Sequence, residues 1–352
     1  MNWTKQSIDN ISLESIPHRN WNRALSEAYS LMLASMPGDV LCITGPSRAG
    51  KSRLISELSG LMSGEAPRED GTMPCVTILA ENCSVRGAFS TKAFTIRGLE
   101  AVKHPIYGVN ESGDNWGVIR YALLQKTAEG VLRPALETAL KLRKTKYLFI
   151  DEAQHIIHAQ SSDKGAAAIL DSWKCLAQAA GIVLVLVGAY PLLNVLRLSP
   201  HLLGRKHQVH LPRYHENRGD IIAFREIVDT YSELIVMPRK ARALSEWSET
   251  LYRGSLGCIG LLQAWLRRAI ANADANKASV LRKEDIFSTR IPRSEFITIL
   301  EEIAAGEAAL EQVNESPEPP NDEPNAASPR PAGKKAKPFR KKPRRYAVGG
   351  RS

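Results

Sequence analysis

At 352 residues, 43% of them hydrophobic, the chain is long enough for two domains, or one large domain with appendages. Its net charge of +10 sits in one place: residues 330–352 hold ten Lys and Arg and no acid, leaving 1–329 formally neutral. The pI therefore does not make the body of the protein basic. Five cysteines (Cys42, Cys75, Cys83, Cys175, Cys258) without a C-x-x-C pair argue against a metal or redox framework and for reduced thiols. The first residues lack the layout of a signal peptide. The longest apolar run, Ile182 to Tyr190, is too short to span a bilayer. A soluble cytoplasmic protein with no membrane partner is expected.

In chain order, residues 1–36 read as a lead-in with one helix around Trp21 to Met36, ended by Pro37-Gly38. Val40 to Thr44 is a β-prone run that enters Gly45, Pro46, Ser47, Arg48, Ala49, Gly50, Lys51 and Ser52, the G-x-x-x-x-G-K-[ST] pattern of a phosphate-binding loop. A helix follows, with Arg53 in its first turn. This order has a physical reason: glycines let backbone N–H groups converge on phosphate oxygens, and the helix points its positive end at the same anion. Lys51 can reach the β- and γ-phosphates of ATP, and the Ser52 hydroxyl can ligate Mg²⁺.

Cys75 to Leu79 is the next strand. The stretch from Ala80 to Lys146 is long for a simple crossover and reads as one that carries an inserted loop near 80–117, then helices near Val118–Thr127 and Val131–Lys144. Tyr147 to Ile150 runs into the adjacent carboxylates Asp151 and Glu152. Asp151 suits a second contact to Mg²⁺, and Glu152 can polarise a water beyond the γ-phosphate, as hydrolysis of ATP requires. A small-molecule kinase needs no such base. A helix over Asp163–Ala180, an apolar strand over Ile182–Gly188, a short helix from Pro191 and a last strand at Gln208–Leu211 complete an αβα domain over 37–213. Arg205 is the candidate for an arginine that reaches a neighbour's γ-phosphate, with Arg197 as competitor. Asn194 is the nearby amide that could stand in for a sensor hydroxyl.

From residue 214 the pattern is helical, with helices expected at Asp220–Ile235, Pro238–Tyr252, Leu256–Asn272 and Arg282–Thr289 in a lid over 214–313. Residues 314–352 hold eight prolines and an acidic-then-basic charge order, and read as a disordered basic tail. Its Phe339 and Tyr346 favour a peptide that docks on a partner.

Taken together, the loop at 45–52, the strand ending in Asp151-Glu152, the strand Ile182–Gly188 and the helical lid resemble an AAA+ P-loop ATPase of the initiator-like group, an α/β fold. More narrowly, the chain is similar to the TnsC/TniB regulators of transposition, nearest to TnsC of CRISPR-associated Tn7-like transposons. That likeness lies in Leu148–His155, Leu170–Leu176, Val185–Leu193, His210–Tyr214 and Gly257–Leu262. It implies ATP and Mg²⁺ at subunit interfaces, and homo-oligomers, as rings or helical filaments, on double-stranded DNA. It also implies a TniQ-like target selector, the transposase TnsB and the endonuclease TnsA as partners. DNA contacts in the family come from loops of the ATPase domain, which here points to Arg86, Lys92, Arg97 and Lys103 in a glycine-broken basic loop. One departure stands out: the family's Gly-Thr at the end of the sensor strand is Gly188-Ala189, and the lost hydroxyl puts the sensor role and the hydrolysis rate in question. The rival readings are an ATP-switched scaffold with negligible hydrolysis and a helicase loader or replication initiator.

Overall fold

The computed structural model describes residues 3–13, 16–64, 70–81, 88–108, 124, 126–158, 163–197, 206–235 and 244–314. Arg86, Arg205, most of Val118–Thr127 and the tail from 315 lie outside the described residues. The chain divides into two compact units, Met1–Gln312 and Val313–Ser352. Of the second, only the last two residues of a helix are described.

Five strands, β1 (Val40–Thr44), β2 (Cys75–Leu79), β3 (Tyr147–Asp151), β4 (Val183–Gly188) and β5 (Lys206–His210), form one parallel sheet. Their order is β2-β3-β4-β1-β5. The inner strands β1, β3 and β4 are buried at every residue, which is why they read as unbroken apolar runs rather than alternating ones. Alternate side chains enter two cores. α2 (Arg19–Ala34) and α3 (Lys51–Ser63) cover Leu41, Ile43, Phe149, Val185 and Val187. On the other face α4 (Thr91–Ala101), α5 (Glu129–Leu142), α6 (Asp163–Ala180) and α7 (Pro191–Arg197) cover Cys42, Ile78, Leu148, Ile150 and Leu186. Thr44 pairs with Gly188, and Leu79 with Asp151. The phosphate loop, the Asp151-Glu152 pair and the end of β4 therefore all emerge at the carboxyl edge, where open α/β sheets hold their ligands.

A third core belongs to the helices after β5: α8 (Arg218–Leu234), a 3-10 turn at Leu244–Trp247, α9 (Ser248–Ser255), α10 (Ile259–Ala275) and α11 (Lys283–Ser288). Of the single helix expected over Pro238–Tyr252, residues 238–243 lie outside the described residues and the remainder is the turn and α9. The N-terminal α1 (Trp3–Leu13) enters this core through the buried Ile11. It is tied by Trp3 Nε1 to Ala278 O (3.1 Å) and by Thr4 Oγ1 to Asp274 Oδ1 (2.7 Å).

Two further elements differ from the sequence reading. The stretch taken as a basic, glycine-broken loop is in part the helix α4, packed on β2 and α5 through Phe94, Ile96 and Leu99. Gly98 does not break it. A Cβ there would stand 2.7 Å from Leu136 Cδ2, so the glycine allows close helix packing. The second surprise is α12 (Arg293–Asn314), for which no helix was expected. It leaves the helical core and returns to the sheet, placing Ile303 and Leu310 in the sheet's core. Glu307 there accepts both Arg213 Nε (2.8 Å) and Arg213 Nη2 (2.9 Å).

Candidate functional site

At the phosphate end, Lys51 opens α3 with only 7% of its surface exposed. Its ammonium donates to the loop's own carbonyls, Gly45 O (3.1 Å) and Pro46 O (2.8 Å). Burial lowers its pKa; the negative charges of Glu152, Asp151 and Glu302 oppose that shift. A buried cation beside a glycine-rich loop and held by carbonyl groups is poised for an anion. The loop's Ser47 hydroxyl donates to Glu302 Oε1 on α12 (3.2 Å), so α12 flanks the phosphate loop.

Asp151 closes β3 and is 7% exposed; its Oδ1 accepts the N–H of Glu152 at 2.9 Å. Glu152 follows with φ of 55°, the left-handed region that non-glycine residues avoid. Such a conformation costs on the order of 1–3 kcal/mol and collects at functional sites. Here it turns the chain sharply so that Glu152 joins the cleft lining. The Ser52 hydroxyl and the Asp151 carboxylate are hard oxygen donors of the kind Mg²⁺ takes, and Mg²⁺ bound there would neutralise phosphate charge. Lys51 and the backbone of the loop could supply the rest of an anion cradle.

From this end a cleft of about 370 Å³ runs between the sheet and the helical region, within the range of small-ligand sites. Arg48, Ala49, Gly50, Lys51, Ser52, Arg53 and Glu152 line one end. Ile16, His18, Tyr231, Ile259 and Gln263 line the rest, and Trp21 stands beside the loop itself, its Cδ1 3.7 Å from where a Cβ of Gly50 would be. His18 Nδ1 caps α2 by accepting Trp21 N (3.4 Å), and lies 3.0 Å from the Tyr214 hydroxyl. Burial pushes the His18 imidazole down to about 4, so it is neutral at pH 7. Trp21 is 8% exposed and its buried Nε1–H has no hydrogen-bond partner among the described residues. An unmet buried donor of this kind suits a ligand acceptor such as the ring nitrogen of a base. The two ends meet at Gly260, where a Cβ would come 1.9 Å from Arg48 O. Only glycine lets α10 approach the phosphate loop this closely.

The cleft thus brings together seven of the residues singled out in the sequence. Gly45, Pro46 and Ser47 sit behind it, the first two as acceptors for Lys51. Asn194 is exposed on α7, and the amide that reaches the end of β4 is instead Gln154, whose Oε1 accepts Ala189 N at 3.0 Å. Arg197 donates to Ala309 O of α12 (2.6 Å). Arg97 is tied to Leu79 O (3.0 Å) and Glu81 Oε2 (2.8 Å). Lys92 lies in the first turn of α4, and Lys103 is exposed just past its end. Sequence reasoning missed the base end of the cleft and Gln154. The first signal available was the His-x-x-Trp pair at the start of α2. The second was the polar residue two positions after Glu152.

Residues 36–196 match the family model for the AAA domain, AAA_22. None of the curated proteins matches the sequence. Among solved structures, the chain is similar to the ORC2 protein of Aeropyrum pernix, solved as ADPNP-ADP complexes: TM-score 0.55, 16% identity, 82% of this chain and 73% of that one. It is similar to the Aeropyrum pernix ORC1 protein in complex with DNA (TM-score 0.53, 17% identity, 80% and 66%). It is likewise similar to Cdc6p of Pyrobaculum aerophilum (TM-score 0.53, 13% identity, 80% and 69%). At such identities the likeness speaks for the fold. The chain has the AAA+ P-loop ATPase fold, a five-stranded parallel sheet between helices with a helical C-terminal region.

Proposed function

We propose that the chain is an ATP-hydrolysing, DNA-binding AAA+ switch of the TnsC/TniB type, which assembles on target DNA and links a TniQ-like selector to the transposase. The observation that carries the ATPase reading is the convergence of Lys51, Ser52 and Glu152 on one cleft that His18, Trp21 and Tyr231 also line. Lys51 and the loop amides bind the phosphates, and the neutral wall with its free Trp21 donor receives the base. Glu152 takes a proton from the attacking water; Asp151 and Ser52 are the Mg²⁺ ligands. The motif set at 148–155, 185–193 and 257–262 supports the transposition role. Arg205 remains the proposed arginine acting in trans.

For DNA, support comes from the likeness to an ORC1 protein solved with DNA and from the basic residues Arg86, Lys92 and Lys103. Lys92 lies in the first turn of α4, a helix of 11 residues, and Lys103 just past its end, so the two stand at opposite ends of the helix. Arg97, paired with Glu81, holds α4 to the end of β2 and drops out as a principal contact. Binding of this kind holds phosphates, ignores sequence and weakens with salt.

Sedimentation with double-stranded DNA and ATP tests the reading. Wild-type protein is expected to co-sediment only with ATP, and Lys51→Ala not at all. Undiminished co-sedimentation of Lys51→Ala would overturn it. A second reading, a replication-initiator or helicase-loader ATPase, is favoured by the fold likeness to ORC and Cdc6 structures over about 80% of the chain. Binding to a TniQ-like protein and TnsB supports the first reading; binding to a replicative helicase in their place supports the second.

A further inference from the structure

Gln154 lies in the 3-10 turn that follows the two carboxylates. Its side chain makes two hydrogen bonds in opposite directions. Nε2 donates to Glu152 Oε2 at 2.5 Å, and Oε1 accepts the backbone N–H of Ala189 at 3.0 Å. Only one orientation of the amide satisfies both neighbours: a carboxylate must face the NH₂ and a backbone N–H must face the oxygen. Gly188 is what admits the amide, since a Cβ there would stand 2.5 Å from Gln154 Oε1. Ala189 offers no hydroxyl at the strand end, only its N–H.

We infer that Gln154 is the positioning residue for Glu152, fixing the carboxylate against the end of β4 by an amide bridge. This rests on the reading of Glu152 as the group that activates water. One Glu152 oxygen is occupied by the Gln154 amide, which leaves the other to accept the water's proton. The bridge also fixes the distance of the carboxylate from β4, the strand beside the phosphate loop's own strand β1. Polar side-chain bonds of this sort hold a general base in register, and displacement by about 1 Å can lower a rate about a hundredfold. The polar function at the end of the sensor strand is thus supplied from the turn after β3, and Gly188-Ala189 is its complement.

The test measures ATP turnover and ATP affinity separately in the full-length protein. Gln154→Ala is expected to lower kcat by roughly tenfold to a hundredfold while leaving the Kd for ATP within about twofold. Gln154→Glu keeps the size but places a second carboxylate against Glu152. Repulsion between the two carboxylates breaks the bridge, so kcat is expected to fall at least as far as in Gln154→Ala. Glu152→Gln is expected to abolish turnover, and Gln154→Ala added to it should cause no further loss. Wild-type kcat in Gln154→Ala, with Glu152→Gln inactive, would overturn the role of Gln154 alone. Full turnover by Glu152→Gln would overturn the base assignment beneath it. Should Gln154→Ala fail to fold, wild-type kcat in the isosteric Gln154→Glu still refutes the bridge.

Discussion

The two ends of the cleft are built on different physical terms. The phosphate end is local: Gly45 to Arg53 and Asp151-Glu152 are short continuous segments hung on neighbouring strands, and their chemistry follows from residue type and spacing. The rest of the lining, the proposed base end, is assembled from residues far apart in the chain: Ile16, His18 and Trp21 from the N-terminus, and Tyr231, Ile259 and Gln263 from the helical region. Gln263 Nε2 bonds Ile11 O at 2.6 Å, closing the assembly from behind. The phosphate end supplies charge, the base end shape and one unmet donor. Affinity for phosphate and discrimination of the base should therefore be separable by mutation.

The largest effect should come from the phosphate end. Lys51→Ala removes the one buried lysine ammonium of the loop, and ATP affinity is expected to fall by about a hundredfold or more, as loss of a charge-assisted contact in a desolvated site would give. Calorimetric titration checks this; a Kd within threefold of wild type would show that the cradle is not anchored there.

Gly260→Ala attacks the seam between the two ends. The new methyl meets the Arg48 carbonyl, so α10 must back away from the loop. ATP affinity should drop by about tenfold and the melting temperature by a few degrees, in keeping with an overpacking cost of about 1–3 kcal/mol. Wild-type values for both would mean that the close approach has no bearing on the site.

Smaller still is the expectation for Trp21→Phe, which keeps an aromatic ring and deletes the N–H. Loss of a single neutral hydrogen bond predicts a roughly three- to tenfold weaker ATP complex. Equal affinity would remove the indole donor from base recognition.

Much of this architecture was legible in the sequence because it is carried by short-range signals. β1, β3 and β4 are apolar runs buried on both faces, and the loop and carboxylates follow them directly. What escaped notice depends on long-range contact. α1 is an ordinary mixed-polarity segment until Ile11, Trp3 and Thr4 find the helical core. α12 buries only Ile303, Leu310 and a few neighbours, too thin a stripe to read by eye, and its position is fixed by Glu302 on Ser47 and Glu307 on Arg213. α4 looked like a loop because Gly98 was taken as a breaker, whereas it is a contact point with Leu136. Gln154 gave no motif of its own; its meaning appears only once the end of β4 is beside it.

The weakest handle on the comparison is pH. His18 and His210 are both held neutral, each lowered to about 4 chiefly by burial. In the unfolded chain a histidine titrates near ~6.5. The unfolded state therefore binds more protons between those values, and stability that is complete above about pH 6.5 declines as the pH falls toward 4. The melting temperature should be lower at pH 5 than at pH 7. In His18→Gln the fall should be smaller; an unchanged fall would mean that His18 does not contribute.

The most direct test titrates MgATP and base-free tripolyphosphate in parallel into the wild-type protein and Trp21→Ala. If one nucleotide spans both ends, ATP should bind one per chain and at least about tenfold more tightly than tripolyphosphate, a difference of about 1.4 kcal/mol. Trp21→Ala should erase most of that difference while leaving tripolyphosphate affinity unchanged. Equal affinities for the two ligands in the wild type would contradict a base site in this cleft.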